Sequence, residues 1–314
     1  MENLIFSLNA TLPIFFTMVL GGVFRKAGLM DEAFLNKMNK FVFQAALPVL
    51  LFQDLATVDF IRVWDTKFVV FCFLATLISI LAVTGVSYFL KDRSIQGEFV
   101  QAGYRSSAAI MGIAFIQNIY GDSGMAPLMI IGTVPLYNIM AVVVLSVMKP
   151  EREPVSKEMV WNTLKGIVTN PIILGILAGI TWALLGIPMP TLLEKTVKNV
   201  GVLATPLGLM AIGAAFDRKQ AGERMGAALA VSFIKLAALT AVFLPIAVHM
   251  GFTGDKLVAI LVMLGSATTV SCYIMAKNMG HDGVLTSSVV MLTTFFSAFT
   301  LTGWLYLLKM LALI

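Results

Sequence analysis

The stretch GYRSSAAIMGIAF, Gly103–Phe115, puts an arginine and two serines inside one of the apolar runs that fill this chain, with Gly112 further on. What surrounds the run is decided by the rest of the sequence. The chain has 314 residues, of which 59% are hydrophobic and 12% charged, and its mean hydropathy is +0.91. Soluble domains carry about 25% charged residues, so the stretch belongs to an integral membrane protein. A bilayer-spanning helix needs about 20 mostly apolar residues. Ten runs reach that length: 4–24, 35–57, 67–90, 96–119, 123–148, 160–186, 191–216, 226–249, 255–278 and 284–312. None alternates apolar with polar as a barrel strand does, so the expected class is an all-α membrane protein with ten transmembrane helices.

The first run opens MENLIF, acidic rather than basic and without a small-residue cleavage site, and reads as a span rather than a removable leader. Cys72 and Cys272 both fall inside runs and read as small packing residues, not as a disulfide framework. Basic residues partition unevenly between the connections. The odd-numbered ones hold 11 (Arg25 and Lys26 in the first, Lys149, Arg152 and Lys157 in the fifth), against four at the opposite side: Arg62, Lys67, Lys256 and Lys309. Basic connections stay in the cytoplasm, so the expectation is a multi-pass protein of the cytoplasmic membrane with both termini outside. The net charge of +5 is largely this bias, and nothing in it calls for nucleic acid.

The longest connection, KPEREPVSK (149–157), divides the runs five and five, giving repeats at 1–150 and 158–314. Laying residues 11–52 over 169–210 without gaps matches 12 of 42 positions, among them Pro13/Pro171, Gly21/Gly179, Gly28/Gly186, Lys37/Lys195, Lys40/Lys198 and Pro48/Pro206. Apolar bias alone does not align both prolines, two glycines and a Lys-x-x-Lys pair in one register. An odd number of spans per repeat inserts the halves in opposite senses. Inverted repeats of this kind are characteristic of secondary transporters, whose sites lie at corresponding interrupted helices.

Spans four and nine are the candidates. At an offset of 160, RSSAAIMGIAFIQN (105–118) lies over GSATTVSCYIMAKN (265–278), pairing Ser106 with Ser266 and Asn118 with Asn278. Small and hydroxylated residues midway let a helix unwind, because side chains or water satisfy the freed backbone groups. The competing reading is close helix packing through small residues; matched positions in both halves favour the break.

These same residues resemble the auxin efflux carrier family, whose bacterial members carry small organic acids such as malate or malonate. Its fourth span reads like R-S-N-x-G-F-x-G-x-P. Arg105, Ser106 and Gly112 match, whereas Ser107 stands for the asparagine, Ala109 for the first glycine, Ile110 for the phenylalanine and Ala114 for the proline. CYIMAKNMGHDG (272–283) and SSVVMLTTFFSAFTL (287–301) are similar to the family's ninth and final spans. The resemblance implies two broken helices crossing near mid-membrane. It also implies a scaffold of spans 1, 2, 6 and 7 that dimerises, a transport domain of spans 3–5 and 8–10, and an elevator-type alternating access.

Arg105 lies about ten residues into span four, roughly 15 Å from its cytoplasmic end at 1.5 Å per residue. Three readings stand beside one another. It snorkels to the cytoplasm; it pairs with Glu98; or it is the counter-charge of a substrate carboxylate, whose geometry its planar fork matches. The third assigns substrate binding to Arg105, Ser106, Ser107 and Gly112 of span four, to Ser266, Thr268, Thr269 and Ser271 of span nine, and to Asn138 of span five.

Lys235 is the other deep cation, and snorkelling or a neighbouring partner accounts for it more simply than substrate does. His249 and His281 fall at span ends, solvated, and are too far apart for a metal site. Gln44, Gln117 and Tyr137 are further cavity candidates; Pro48 and Pro206 read as kinks. Glu98, Asp54 and Asp65 sit near predicted span ends, which leaves the coupling ion, H+ or Na+, open. No cofactor is implied. The expected function is a secondary transporter of a small carboxylate, in contact with membrane lipid and as a homodimer. A passive anion channel shares the same spans. An intramembrane enzyme is disfavoured: no HExxH, GxSxG, histidine well inside a run or pair of deep aspartates is present.

Overall fold

The computed structural model describes residues 2–57, 64–108, 116–117, 119–121, 124–150 and 157–314, and among them every regular element is helical. Among the described residues, five helical stretches are long and apolar enough to cross a membrane: Thr66–Ser87, Ala126–Val147, Thr191–Ala215, Met225–His249 and Val284–Met310. The helix Glu2–Lys26 is 25 residues long. Large apolar side chains cover the outside, with Leu81, Leu184 and Leu192 all more than half exposed. An outer surface of this kind is stable only against hydrocarbon or another apolar partner.

Several runs are interrupted, each for a local reason. The run 160–186 is two helices, Lys157–Val168 and Pro171–Leu185, a correction to the single span expected. Asn170 caps the second by accepting from the Ile172 amide at 2.9 Å, and Pro171 has no amide to continue the first. Pro13, its counterpart at the offset of 158, has Leu12 rather than a capping residue before it and lies inside the continuous helix Glu2–Lys26.

Ahead of Pro48 the chain widens into a π-helical turn, Val42–Ala46, before the helix Leu47–Ala56. A proline ring crowds the carbonyl four residues back, and one turn of wider winding relieves it. Pro206 likewise follows a departure from α geometry, at 202–203, between the helices Thr191–Gly201 and Ala204–Ala215. Lys37, Lys40, Lys195 and Lys198 are exposed on the short helices Glu32–Phe41 and Thr191–Gly201.

Two helix pairs carry the closest packing. Glu2–Lys26 lies along Ala204–Ala215, and Leu47–Ala56 along Pro171–Leu185. A Cβ on Gly21 would stand 2.1 Å from the Met210 carbonyl oxygen, and one on Gly179 would stand 2.7 Å from that of Phe52. Gly21 and Gly179 are partners at the offset of 158, and so are Phe52 and Met210. The two contacts are one contact made twice.

Thr66–Ser87, Gln96–Tyr104 and Ala126–Val147 form a second packed group with Met225–Phe233, Leu239–His249, Gly254–Gly265 and Val284–Met310. At one end of this group Lys256 pairs with Asp65 at 2.6 Å, and Lys67 donates to the Met250 carbonyl. The Lys256 hydrogen bond holds the Asp65 carboxyl below the usual carboxylate range. At the other end Arg224 pairs with Asp282 at 2.7 Å.

Candidate functional site

The site begins where two helices stop. Gln96–Tyr104 ends at Arg105, whose backbone is extended (φ −79°, ψ 130°), and Gly254–Gly265 ends at Ser266, also extended (φ −77°, ψ 165°). The chain resumes as the helix Ser271–Asn278. The two non-helical segments meet: the Ser107 amide donates to the Ala267 carbonyl at 2.9 Å. Ser107 and Ala267 are counterparts at the offset of 160, so the segments touch at equivalent positions.

A helix ending in the protein interior leaves carbonyls without partners, and here each segment supplies them for the other. Thr268 Oγ1 donates to the Ala102 carbonyl at 2.9 Å, and Ser106 Oγ donates to that of Met263, which also receives the Tyr137 hydroxyl at 3.2 Å. Lys235, on the π-helical turn Ile234–Ala238, reaches both ends at once. Its ammonium donates to the Leu264 carbonyl at 2.7 Å, to the Tyr104 carbonyl at 3.5 Å and to Ser106 Oγ. A cation at a helix C-terminus is electrostatically favourable, and this one serves two.

Arg105 is only 2% exposed. One terminal nitrogen donates to Asn138 Oδ1 and to Ser271 Oγ, both at 2.8 Å, while the other contacts Met275 Sδ at 2.9 Å. Its Nε has no partner among the described residues. All of these partners are neutral. Glu98 is occupied elsewhere, accepting from the Gly283 amide at 3.0 Å and from the Thr286 amide and hydroxyl at 2.9 and 2.7 Å. The ion pair with Glu98 is therefore absent, and Glu98 instead caps the last helix. Snorkelling is excluded as well, for Arg105 and for the fully buried Lys235 alike.

A cavity opens where the two non-helical segments meet. One wall is polar and comes from Arg105, Ser106, Ser107, Tyr137, Asn138, Thr268, Thr269 and Ser271. Ile14, Leu47, Leu50, Leu51 and Asp54 from the first two spans, with Ala204 and Thr205, also line the cavity.

The sequence of residues 6–305 matches the model of a family described as membrane transport protein. The chain belongs to that family. It is the auxin efflux carrier family that the residues around Arg105 resemble. The chain is also 22% identical over 308 residues, 95% of its own length and 94% of the relative's, to a protein of Rhizobium meliloti (strain 1021) named "Putative malonate transporter". As a member of the membrane transport family the chain is an integral membrane transporter, not an enzyme.

Among the residues expected at this family member's site, Arg105, Ser106, Ser107, Asn138, Thr268, Thr269 and Ser271 share the cavity. Ser266 is fully buried beside it, and its hydroxyl has no partner among the described residues. Gly112 and Asn118 lie outside the described residues. Gln44 and Gln117 are not on the cavity wall, whereas Tyr137 is. His281, expected in solvent, is buried, with Nε2 3.0 Å from the Leu145 carbonyl oxygen; His249 is exposed. No group of three His, Cys, Asp or Glu residues suited to a metal occurs among the described residues.

Asp54 was missed as a site residue. Its place near a span end hid it, although Leu47, Leu50, Leu51 and Asp54 recur on one helical face.

Proposed function

We propose that the chain is a secondary transporter of a small organic anion, a mono- or dicarboxylate, across the cytoplasmic membrane. One observation carries the reading: Arg105 is buried beside a cavity, held in place by neutral acceptors, with no carboxylate paired to it among the described residues. A buried cation left in this state is costly, and an anionic substrate removes the cost. Ser107, Thr269 and Ser271 stand on the same wall to donate hydrogen bonds, and the helix Ser271–Asn278 begins there with its positive end. The malonate named for the Rhizobium relative fits this chemistry.

The mechanism we propose is an elevator-type alternating access built on ten spans in a 5+5 inverted repeat, with spans four and nine broken at the crossing. The twice-made Gly21–Met210 and Gly179–Phe52 contact supports the repeat, as does the meeting of Ser107 with Ala267. Spans 1, 2, 6 and 7 would form the scaffold of a homodimer, with spans 3–5 and 8–10 moving against it. The excess of basic residues in odd-numbered connections supports a topology with both termini outside.

The test is uptake of radiolabelled mono- and dicarboxylates into proteoliposomes under imposed ion gradients. Accumulation above the external concentration that Arg105→Ala abolishes is the expected result. Flux that only equilibrates the two sides would mark a channel. Cysteine cross-linking between copies through the helix Pro171–Leu185 tests the dimer, and its complete absence in membranes rejects it.

A further inference from the structure

The cavity that Arg105 lines also holds a carboxylate that the proposed anion chemistry does not use. Asp54 projects from the helix Leu47–Ala56 in the same row as Leu47, Leu50 and Leu51, all of which line the cavity. Among the described residues, no hydrogen bond or ion pair reaches its carboxylate. Among the described residues, the elements around it offer no counter-charge. Pro171–Leu185, packed along its helix, contains no charged residue. Thr191–Gly201, packed on another side, carries Glu194, Lys195 and Lys198, and all three are exposed. Arg105 lines the same cavity, already bonded to Asn138, Ser271 and Met275, and Lys235 is bonded to Ser106. Tyr137 is the remaining titratable group lining it. Burial dominates the surroundings of Asp54, and no charged neighbour among the described residues offsets it.

An ionised Asp54 and a carboxylate substrate would therefore share one poorly hydrated space. Like charges in such a space repel strongly, since little water remains to screen them. We propose that Asp54 is the coupling site of this transporter, a carboxylate that takes up a proton before the anion occupies the cavity and releases it after the anion has left. The inference rests on the reading of this cavity as the anion's site. A proton fits better than sodium: Na+ needs several oxygen ligands at once, and the side chains in line with Asp54 are hydrocarbon. The cycle balances. One proton and one anion enter from the same side and leave on the other; Asp54 stays on the scaffold and exchanges its proton with each side in turn as access to the cavity alternates, so that a proton gradient drives the anion.

The experiment measures equilibrium binding of malonate to the purified full-length protein between about pH 7 and 9, where a free dicarboxylate no longer titrates. The parent should lose affinity by up to about tenfold per pH unit, the slope of one linked proton. Asp54→Asn should bind with no such slope and, at the alkaline end, more tightly than the parent. Misfolding cannot produce that gain. If Asp54→Asn fails to bind at all, Asp54→Glu decides: a retained slope displaced along the pH axis supports the proposal, and a flat response overturns it. An Asp54→Asn protein that keeps the parental slope also overturns it, because the titration then belongs to another group, such as Lys235. In proteoliposomes the parent should accumulate malonate under an inside-alkaline gradient without sodium; accumulation that requires a sodium gradient overturns the proton. Failure of the anion-site reading would be a separate result: Arg105→Ala would bind malonate like the parent, whatever the pH slope.

Discussion

Two regions of this molecule bring helices together by opposite means. Where Glu2–Lys26 meets Ala204–Ala215 the approach is backbone to backbone, and the place a Cβ on Gly213 would take lies 1.7 Å from the Met18 carbonyl oxygen. At the crossing the helices stop short of one another. Their carbonyl ends are then bridged by the side chains of Thr268, Ser106 and Lys235. The first contact is dry and made of small residues, as helix pairs in lipid commonly are. Such a contact has one tight geometry and suits a fixed support. The second buries polar groups inside the protein, which a membrane protein tolerates where they line a cavity. Rigidity and chemistry have been assigned to different parts of the chain.

Substitutions can break the contrast from either side. The largest effect is expected at Arg105. Arg105→Ala should weaken anion binding by about 2–5 kcal/mol, because the substrate then enters without its counter-charge. Arg105→Lys should fall between, since a single ammonium replaces a two-pronged donor. Titration of the purified variants checks both, and parental affinity in a folded Arg105→Ala protein would sink the counter-charge. Next comes Gly213→Ala. Even one methyl there must push two helices apart, so a loss of about 1–3 kcal/mol in stability is expected, read as a lower midpoint of thermal unfolding in detergent. Gly21→Ala should behave alike, and a parental midpoint for both would mean that the tight packing is not what holds the pair.

Smaller effects sharpen the comparison. Ser271→Ala removes one charge-assisted hydrogen bond of the Arg105 guanidinium and should cost about 1.5 kcal/mol in binding, with little change in unfolding midpoint. An effect on stability as large as that of Gly213→Ala would make Ser271 part of the frame instead. Smallest of all is Gly85→Ala. Nothing lies within 4 Å of the added methyl, and Gly85 sits inside Thr66–Ser87. The same substitution that harms Gly213 should here stabilise by about 0.4–1 kcal/mol. A clear destabilisation at Gly85 would show that glycine content, not close approach, decides these outcomes.

Much of this was legible in the chain. Composition fixes the solvent, because 12% charged residues cannot cover a water-soluble surface. Run lengths give a helical membrane protein, and the family is readable from Arg105, Ser106 and the residues after them. The register of 158 pairs Gly21 with Gly179 before any coordinates are seen, since a repeated contact needs a repeated residue. Local chemistry was less legible. Asn170 followed by Pro171 ends one helix and starts another, but the hydropathy of that run hid the break.

What only the tertiary structure decided is the partner of each buried polar group. Sequence could place Arg105 deep in a span but could not choose among lipid headgroup, Glu98 and substrate. Glu98 is only seven residues from Arg105, yet its carboxylate belongs to Gly283 and Thr286, the start of a helix nearly two hundred residues on. Lys235 likewise finds its acceptors at Tyr104 and Leu264, and Asp54 reaches the cavity wall because Leu47–Ala56 turns that face inward. The reason is physical. Burial in hydrocarbon depends on residue type and run length, which sequence carries directly, whereas a hydrogen bond or an unpaired charge depends on which distant segments the packing brings within about 3 Å.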